Sequence, residues 1–224
     1  GAAAFPASRG TTTLVASMVS STHEFLLSAT EALRPLVADG TLAGIHYEGP
    51  YIAEARCGAH VVSVLRDPDT AELGELIDAG GGAVKMVTIA PELPGAVEAI
   101  EFLDSRGVVA SIGHTDATYE ETRAGIDAGA QAATHLFNAM RGFNHRDPGP
   151  IPALIADERI FSEIIADPVH LHPGTMAFAF DVSLPGWTIL VSDAMDAAGL
   201  ADGSYRLGRH EVSVADGVAT VAGT

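Results

Sequence analysis

LAGIHYEGPYI, residues 42–52, is the stretch on which the reading of the chain turns. It is a short apolar strand stopped by Gly49-Pro50. Side chains alternate along a strand, so His46 and Glu48 share one face and Ile45 and Tyr47 the other. A carboxylate at the carboxyl end of a strand is where α/β barrels place their chemistry. On this stretch alone, a water-exposed strand-end glutamate is the better account. Three more strand ends change that balance, because they carry His114, His135 and Asp193 in chain order.

Working outward, apolar runs with strand character cover 11–19, 83–89, 108–114, 130–136, 161–166 and 187–192, the last read as a buried strand. Between them lie helical patterns at 24–37, 71–79, 94–105, 118–128, 152–157 and 174–182. Pro35 weakens the last turn of the first helix and Gly40 closes it, and Thr118 with Glu121 spells a capping box. Gly80-Gly81-Gly82 precedes a strand instead of following one, which rules out phosphate-loop geometry. Strand and helix alternate as a parallel sheet with crossover helices requires. About seven such strands approach the eight of a (β/α)8 barrel. Residues 205–207, 210–214 and 218–221 break the rhythm as short antiparallel strands, the last two joined by Asp216-Gly217.

The charge balance is 12 − 29 = −17, and Lys85 is the only lysine. Nucleic acids and anionic membranes demand clustered Lys and Arg, so neither is expected as a partner. With 47% hydrophobic residues and a mean hydropathy of +0.24, the chain reads as compact, long enough for one large domain or two small ones and ample for a proper core. No apolar run is long enough to span a bilayer. Gly1 to Ala4 lacks a basic segment before it, so no signal peptide is expected. There is no initiator Met, and the first residues read as the inside of a domain, so the chain is expected to be cut at its start. Cys57 stands alone, which excludes an intramolecular disulfide and fits a reducing cytoplasm.

A lone histidine on an apolar strand is usually a core residue. Two histidines and two carboxylates at successive strand ends instead match a divalent ion such as Zn²⁺, with Fe²⁺, Mn²⁺ or Co²⁺ as alternatives. Glu48, His114 and His135 are the expected ligands, leaving a position open for water as catalytic sites do. Asp193 is expected to be the general base, although a helix N-cap is its ordinary role in such a position. His46 shares the face of Glu48 and is expected to support it. His23, His145, His172 and His210 are read as structural or surface residues.

GTTTLVAS, GIHYEGPYI followed by GAH, VTIAPE, IGHTDATYEE, GAQAATHLFNAM, HRDPGPIPALI and LVSDAM together resemble the N-acetylglucosamine-6-phosphate deacetylases of the amidohydrolase superfamily. The resemblance implies a metal-bearing (β/α)8 barrel over residues 1–200, lacking its first strand. It also implies that 201–224 form part of a small β-sandwich, and that the chain is incomplete at both ends. It implies release of acetate from N-acetylglucosamine 6-phosphate in amino-sugar catabolism and cell-wall recycling. It supports Glu48, His114 and His135 as ligands for one or two ions, and Asp193 as acid/base. It further implies that Ala59 and His60 face the N-acetyl group, His60 holding the oxyanion. Asn138, Ala139, Arg146 and His170 would bind the sugar phosphate, Arg146 from the neighbouring subunit of a homodimer. In many amidohydrolases a carboxylated lysine bridges two metals. Lys85 starts its strand and so lies at the wrong rim, which leaves Glu48 as the bridging candidate. Two alternatives stay open: an amidohydrolase acting on a cyclic amide or another N-acyl sugar, and a non-catalytic sugar-phosphate-binding regulator.

Overall fold

The computed structural model describes residues 4–208 and 210–221. Most of the Gly1–Ala4 segment and the end of the tail lie outside them. Seven strands form one parallel sheet in chain order: β1 (Val15–Val19), β2 (Gly44–Glu48), β3 (Val84–Ile89), β4 (Val109–Ile112), β5 (Ala132–Ala133), β6 (Phe161–Ile165) and β7 (Thr188–Val191). The sheet curls like an incomplete barrel, and β1 and β7 do not pair with each other. Helices α1 (Ala4–Ser8), α2 (His23–Ala38), α3 (Thr70–Gly80), α4 (Ala96–Ser105), α5 (Tyr119–Asp127), α6 (Ile151–Ile155) and α7 (Pro173–Val182) punctuate it. A separate antiparallel sheet holds β8 (Gly203–Leu207), β9 (His210–Ala215) and β10 (Val218–Val221).

Alternation along the strands divides the sheet into two chemistries. Outward residues Ile45, Tyr47, Val87, Ile89, Ala110 and Ile112 pack against Leu26, Leu73, Leu76, Ile100, Leu103 and Ile126 of the helices, forming the main core. The inward residues are polar and bonded in a chain. Ser17 Oγ meets His46 Nδ1 at 2.8 Å, and His46 Nε2 meets Thr88 Oγ1 at 2.8 Å. Thr88 Oγ1 and Ser111 Oγ each lie 2.7 Å from Thr134 Oγ1. His46 therefore supports the sheet interior and does not bond Glu48. Burial holds its pKa down at about 4, so it is neutral there.

The helix ends follow local chemistry. Asp69 Oδ1 accepts from Ala71 N at 2.7 Å to start α3, and Gly81 ends it in the left-handed region at φ 55°. Thr118 and Glu121 make the expected capping box on α5. α2 keeps Pro35 in its last turn, as expected, and runs on to Ala38 with Asp39 as its cap. A proline that close to the end forfeits a single backbone bond, so the helix tolerates it. The expectation of a buried strand at 187–192 is corrected: Ile189 is 43% and Leu190 67% exposed. β7 pairs only with β6, so it is an edge whose faces are incompletely covered.

Candidate metal centre and cleft

Three strand ends deliver the centre. Glu48 is the last residue of β2, His114 follows β4, and His135 follows β5. All three are buried. Glu48 Oε1 lies 2.9 Å from His114 Nε2 and 3.0 Å from His135 Nε2, and the two Nε2 atoms are 3.1 Å apart. The strands stop abruptly at these residues because His114, His135 and Asp193 take φ values of 48°, 29° and 46°. Such left-handed backbone strains a residue with a Cβ and collects at functional sites. It turns each side chain off its strand and into the cleft. Gly49, at φ 77°, performs the turn after Glu48. A Cβ there would lie 2.2 Å from Ser20 Oγ, so only glycine fits.

Hydrogen bonds fix which nitrogen of each ring faces the centre. His114 Nδ1 lies 2.8 Å from the Arg56 carbonyl and must donate to it, leaving the Nε2 lone pair free. His60 Nδ1 lies 3.2 Å from the Ser20 backbone N and 2.7 Å from Ser20 Oγ, which hold the ring with Nε2 turned toward the centre, 3.7 Å from Glu48 Oε1. His60 thus presents Nε2 to the cleft, while Glu48 and His114 offer acceptors.

Two acceptors about 3 Å apart repel unless a proton or cation lies between them, and the trio is therefore suited to a cation. Four-coordinate Zn²⁺ with bonds of about 2.0–2.2 Å spaces its ligands by roughly 3.3 Å, close to the spacing found. Among the described residues this trio is the one His/Cys/Asp/Glu group with the geometry to hold a metal ion. Burial alone would raise the Glu48 pKa. The neighbouring imidazoles of His114, His135 and His60 outweigh it and hold Glu48 well below the usual carboxylate range. For His135, burial works downward, but the hydrogen bond and charge of Glu48 prevail and raise it.

Asp193 lines the same cleft, open to solvent, with its pKa raised by desolvation and then by the Glu48 charge. The cleft has a volume of about 310 Å³. It also brings in Ala59, His60, Asn138, Ala139 and His170, which all come from loops after strands. Asp167 accepts from His170 Nδ1 at 2.8 Å and orients that ring. Arg146 is not part of the cleft. Its guanidinium lies exposed and pairs with no carboxylate among the described residues, since the neighbouring Asp147 is taken by Arg141. Cys57 sits in the loop before Ala59, partly exposed.

Glu163, on β6, went unnoticed in the sequence because it lies mid-strand and not at a strand end. Its Oε2 is 3.4 Å from the His135 backbone N, and its carbonyl accepts from Leu136 N at 2.8 Å. Burial lifts its pKa to about 7. Ser20, the residue that orients His60, was likewise silent.

No protein-family model matches the chain. The N-acetylglucosamine-6-phosphate deacetylase of Vibrio furnissii is 36% identical over 216 residues, 95% of this chain and 54% of that protein. The N-acetylgalactosamine-6-phosphate deacetylase of Escherichia coli is 39% identical over 179 residues, 80% of this chain and 47% of that one. The crystal structure of N-acetyl-D-glucosamine-6-phosphate deacetylase from Mycobacterium smegmatis superposes with a TM-score of 0.93 at 50% identity, covering 96% of this chain and 57% of that one. An aspartate-to-alanine mutant of the Mycobacterium smegmatis enzyme, in complex with N-acetyl-D-glucosamine-6-phosphate, matches at a TM-score of 0.94 and 50% identity, covering 96% and 56%. The chain spans about half the length of the curated relatives it matches.

Proposed function

We propose that this chain, a member of the N-acetylglucosamine-6-phosphate deacetylase family by sequence and fold, hydrolyses the N-acetyl group of N-acetyl-D-glucosamine 6-phosphate. The products are D-glucosamine 6-phosphate and acetate. The observation that carries this reading is the convergence of Glu48, His114 and His135 on one point of a cleft that also holds Asp193 and His60.

Glu48 Oε1 and the Nε2 atoms of His114 and His135 hold a divalent ion, with Zn²⁺ as the leading choice. When bound, such an ion supplies Lewis-acid polarisation and makes water acidic enough to attack near neutral pH. His60 Nε2–H donates to the acyl oxygen as it gains negative charge. Asp193 takes a proton from the attacking water and delivers it to the amide nitrogen as the C–N bond breaks. Ala59 lies beside the acyl group, and Asn138, Ala139 and His170 hold the sugar phosphate.

The finer readings belong to the same proposal. The curled sheet β1 to β7 is the greater part of a (β/α)8 barrel, and β8, β9 and β10 belong to a small β-sandwich. The protein works in the cytoplasm as a homodimer in which Arg146 reaches the neighbouring site. Its unpaired guanidinium outside its own cleft supports that role. No helix among the described residues is long and apolar enough to cross a membrane.

A second reading, deacetylation of the galactose epimer, is favoured by the comparable identity to the galactosamine relative. The test is acetate release by the metal-replete protein from both 6-phosphorylated epimers, before and after chelation, with Glu48→Gln alongside. Metal-dependent release that Glu48→Gln abolishes is expected, with the glucose epimer preferred. Release that persists in metal-free protein would remove the metal from the proposal.

A further inference from the structure

The rim above the metal centre is cross-linked by a set of side chains that touch neither ligand nor cleft. Asp116, two residues after His114, receives Arg56 Nε at 2.8 Å and Arg56 Nη2 at 2.7 Å on its Oδ1. Its backbone N–H donates to Glu92 Oε1 at 2.6 Å, and Thr115 Oγ1 donates to Glu92 Oε2 at 2.5 Å. Glu92 comes from the loop after β3, Asp116 from the loop after β4, and Arg56 from the loop after β2. Three successive loops are therefore tied at one carboxylate pair.

The tie bears on His114 from both sides. The Arg56 carbonyl is the acceptor for His114 Nδ1, and the Ala53 N–H donates to the His114 carbonyl at 2.9 Å. The left-handed φ of His114 places the ring where this carbonyl can meet it. Arg56 thus uses its guanidinium to anchor itself on Asp116 and its carbonyl to set the His114 tautomer. We propose that Asp116, held by Glu92 and paired with Arg56, is a positioning residue that fixes the His114 ring so that Nε2 presents its lone pair to the metal.

The pair is more than a third solvent-exposed on both side chains, and exposed ion pairs add little to fold stability. Its removal should therefore leave the fold intact while loosening the ring, and hydrogen-bonding partners of metal ligands commonly govern metal affinity by 10- to 100-fold.

This inference rests on the metal reading above, so the experiment separates the two. Co²⁺ is titrated into the metal-free full chain of the wild type, Asp116→Asn and Arg56→Lys, with a competing chelator. The visible spectrum is recorded for each, and the metal-free proteins are melted in parallel. Expected are unchanged melting of the metal-free variants, about 10- to 100-fold weaker Co²⁺ binding and an altered ligand-field spectrum. Wild-type affinity and spectrum in both variants would overturn the positioning role, as would a loss of affinity matched by a loss of metal-free stability. A wild type that binds no Co²⁺ would instead overturn the metal centre itself.

Discussion

Asp193 stands apart from the trio by being accessible, strained and raised in pKa at once. Asp193→Asn removes the proton acceptor but keeps the shape. It is expected to retain metal binding while kcat falls by at least about 10²-fold, measured as acetate release at saturating substrate. Near-normal turnover of the metal-replete variant would cancel the assignment. Gly49→Ala tests the turn that aims Glu48. The added Cβ meets Ser20 Oγ, which bonds both His60 and the Glu48 carbonyl. A loss of about 1–3 kcal/mol in chemical denaturation is expected, together with weaker metal retention. The four strand-end residues could be read from the chain because parallel strands present their carboxyl ends on one side, whatever lies between. Glu163, Ser20 and the Arg56 carbonyl could not. Their roles depend on contacts across 28, 40 and 58 residues that no local pattern announces.

The elements were legible in proportion to their length and caps. α3 starts within a residue of the expected 71–79 and α5 where the Thr118–Glu121 capping box placed it, whereas the expected strand at 130–136 shrinks to the two residues Ala132–Ala133. The strained His135 and the turn after it end the ladder early. Beyond α6, Asp157 gathers Arg159 Nε at 2.9 Å, Arg159 Nη2 at 2.8 Å and, from α5, Arg123 Nη1 at 2.5 Å. The hydrogen bonds from Arg159, with Arg123 adding to them, hold its pKa far below the usual carboxylate range. A depressed pKa means that the stabilisation is complete above the unfolded value of about 4 and fades as the pH falls through the folded one. Asp157→Asn should therefore melt below the wild type at neutral pH, by about 1–2 kcal/mol of stability. The gap should narrow steadily below about pH 4. A gap that widens on acidification would assign the stabilisation to something other than the ionised carboxylate.

With a formal charge of −17, the protein repels a phosphorylated sugar at long range, and a few local donors must overcome this. Losing one charge-assisted contact costs about 1.5–3 kcal/mol, or roughly 10- to 150-fold in affinity. Arg146→Ala is expected to raise KM for the 6-phosphate by that factor and to spare the unphosphorylated sugar. Mixed dimers of Arg146→Ala and Asp193→Asn should recover one good site, and no recovery in verified mixed dimers would show that Arg146 does not serve the neighbouring site. The (β/α) order was visible from strand and helix alternation, but the exposure of β7 was not, because burial of a strand depends on neighbours that its own residues do not name. Strand order in space also repeats strand order in the chain. A ribosome can therefore lay each described strand from β2 to β7 against the one it has just made. The metal donors do have to wait, because 87 residues separate Glu48 from His135. At about 5–20 residues per second, synthesis of that interval takes roughly 4–17 s. The three donors of the candidate metal site therefore come together only after β5 has been translated.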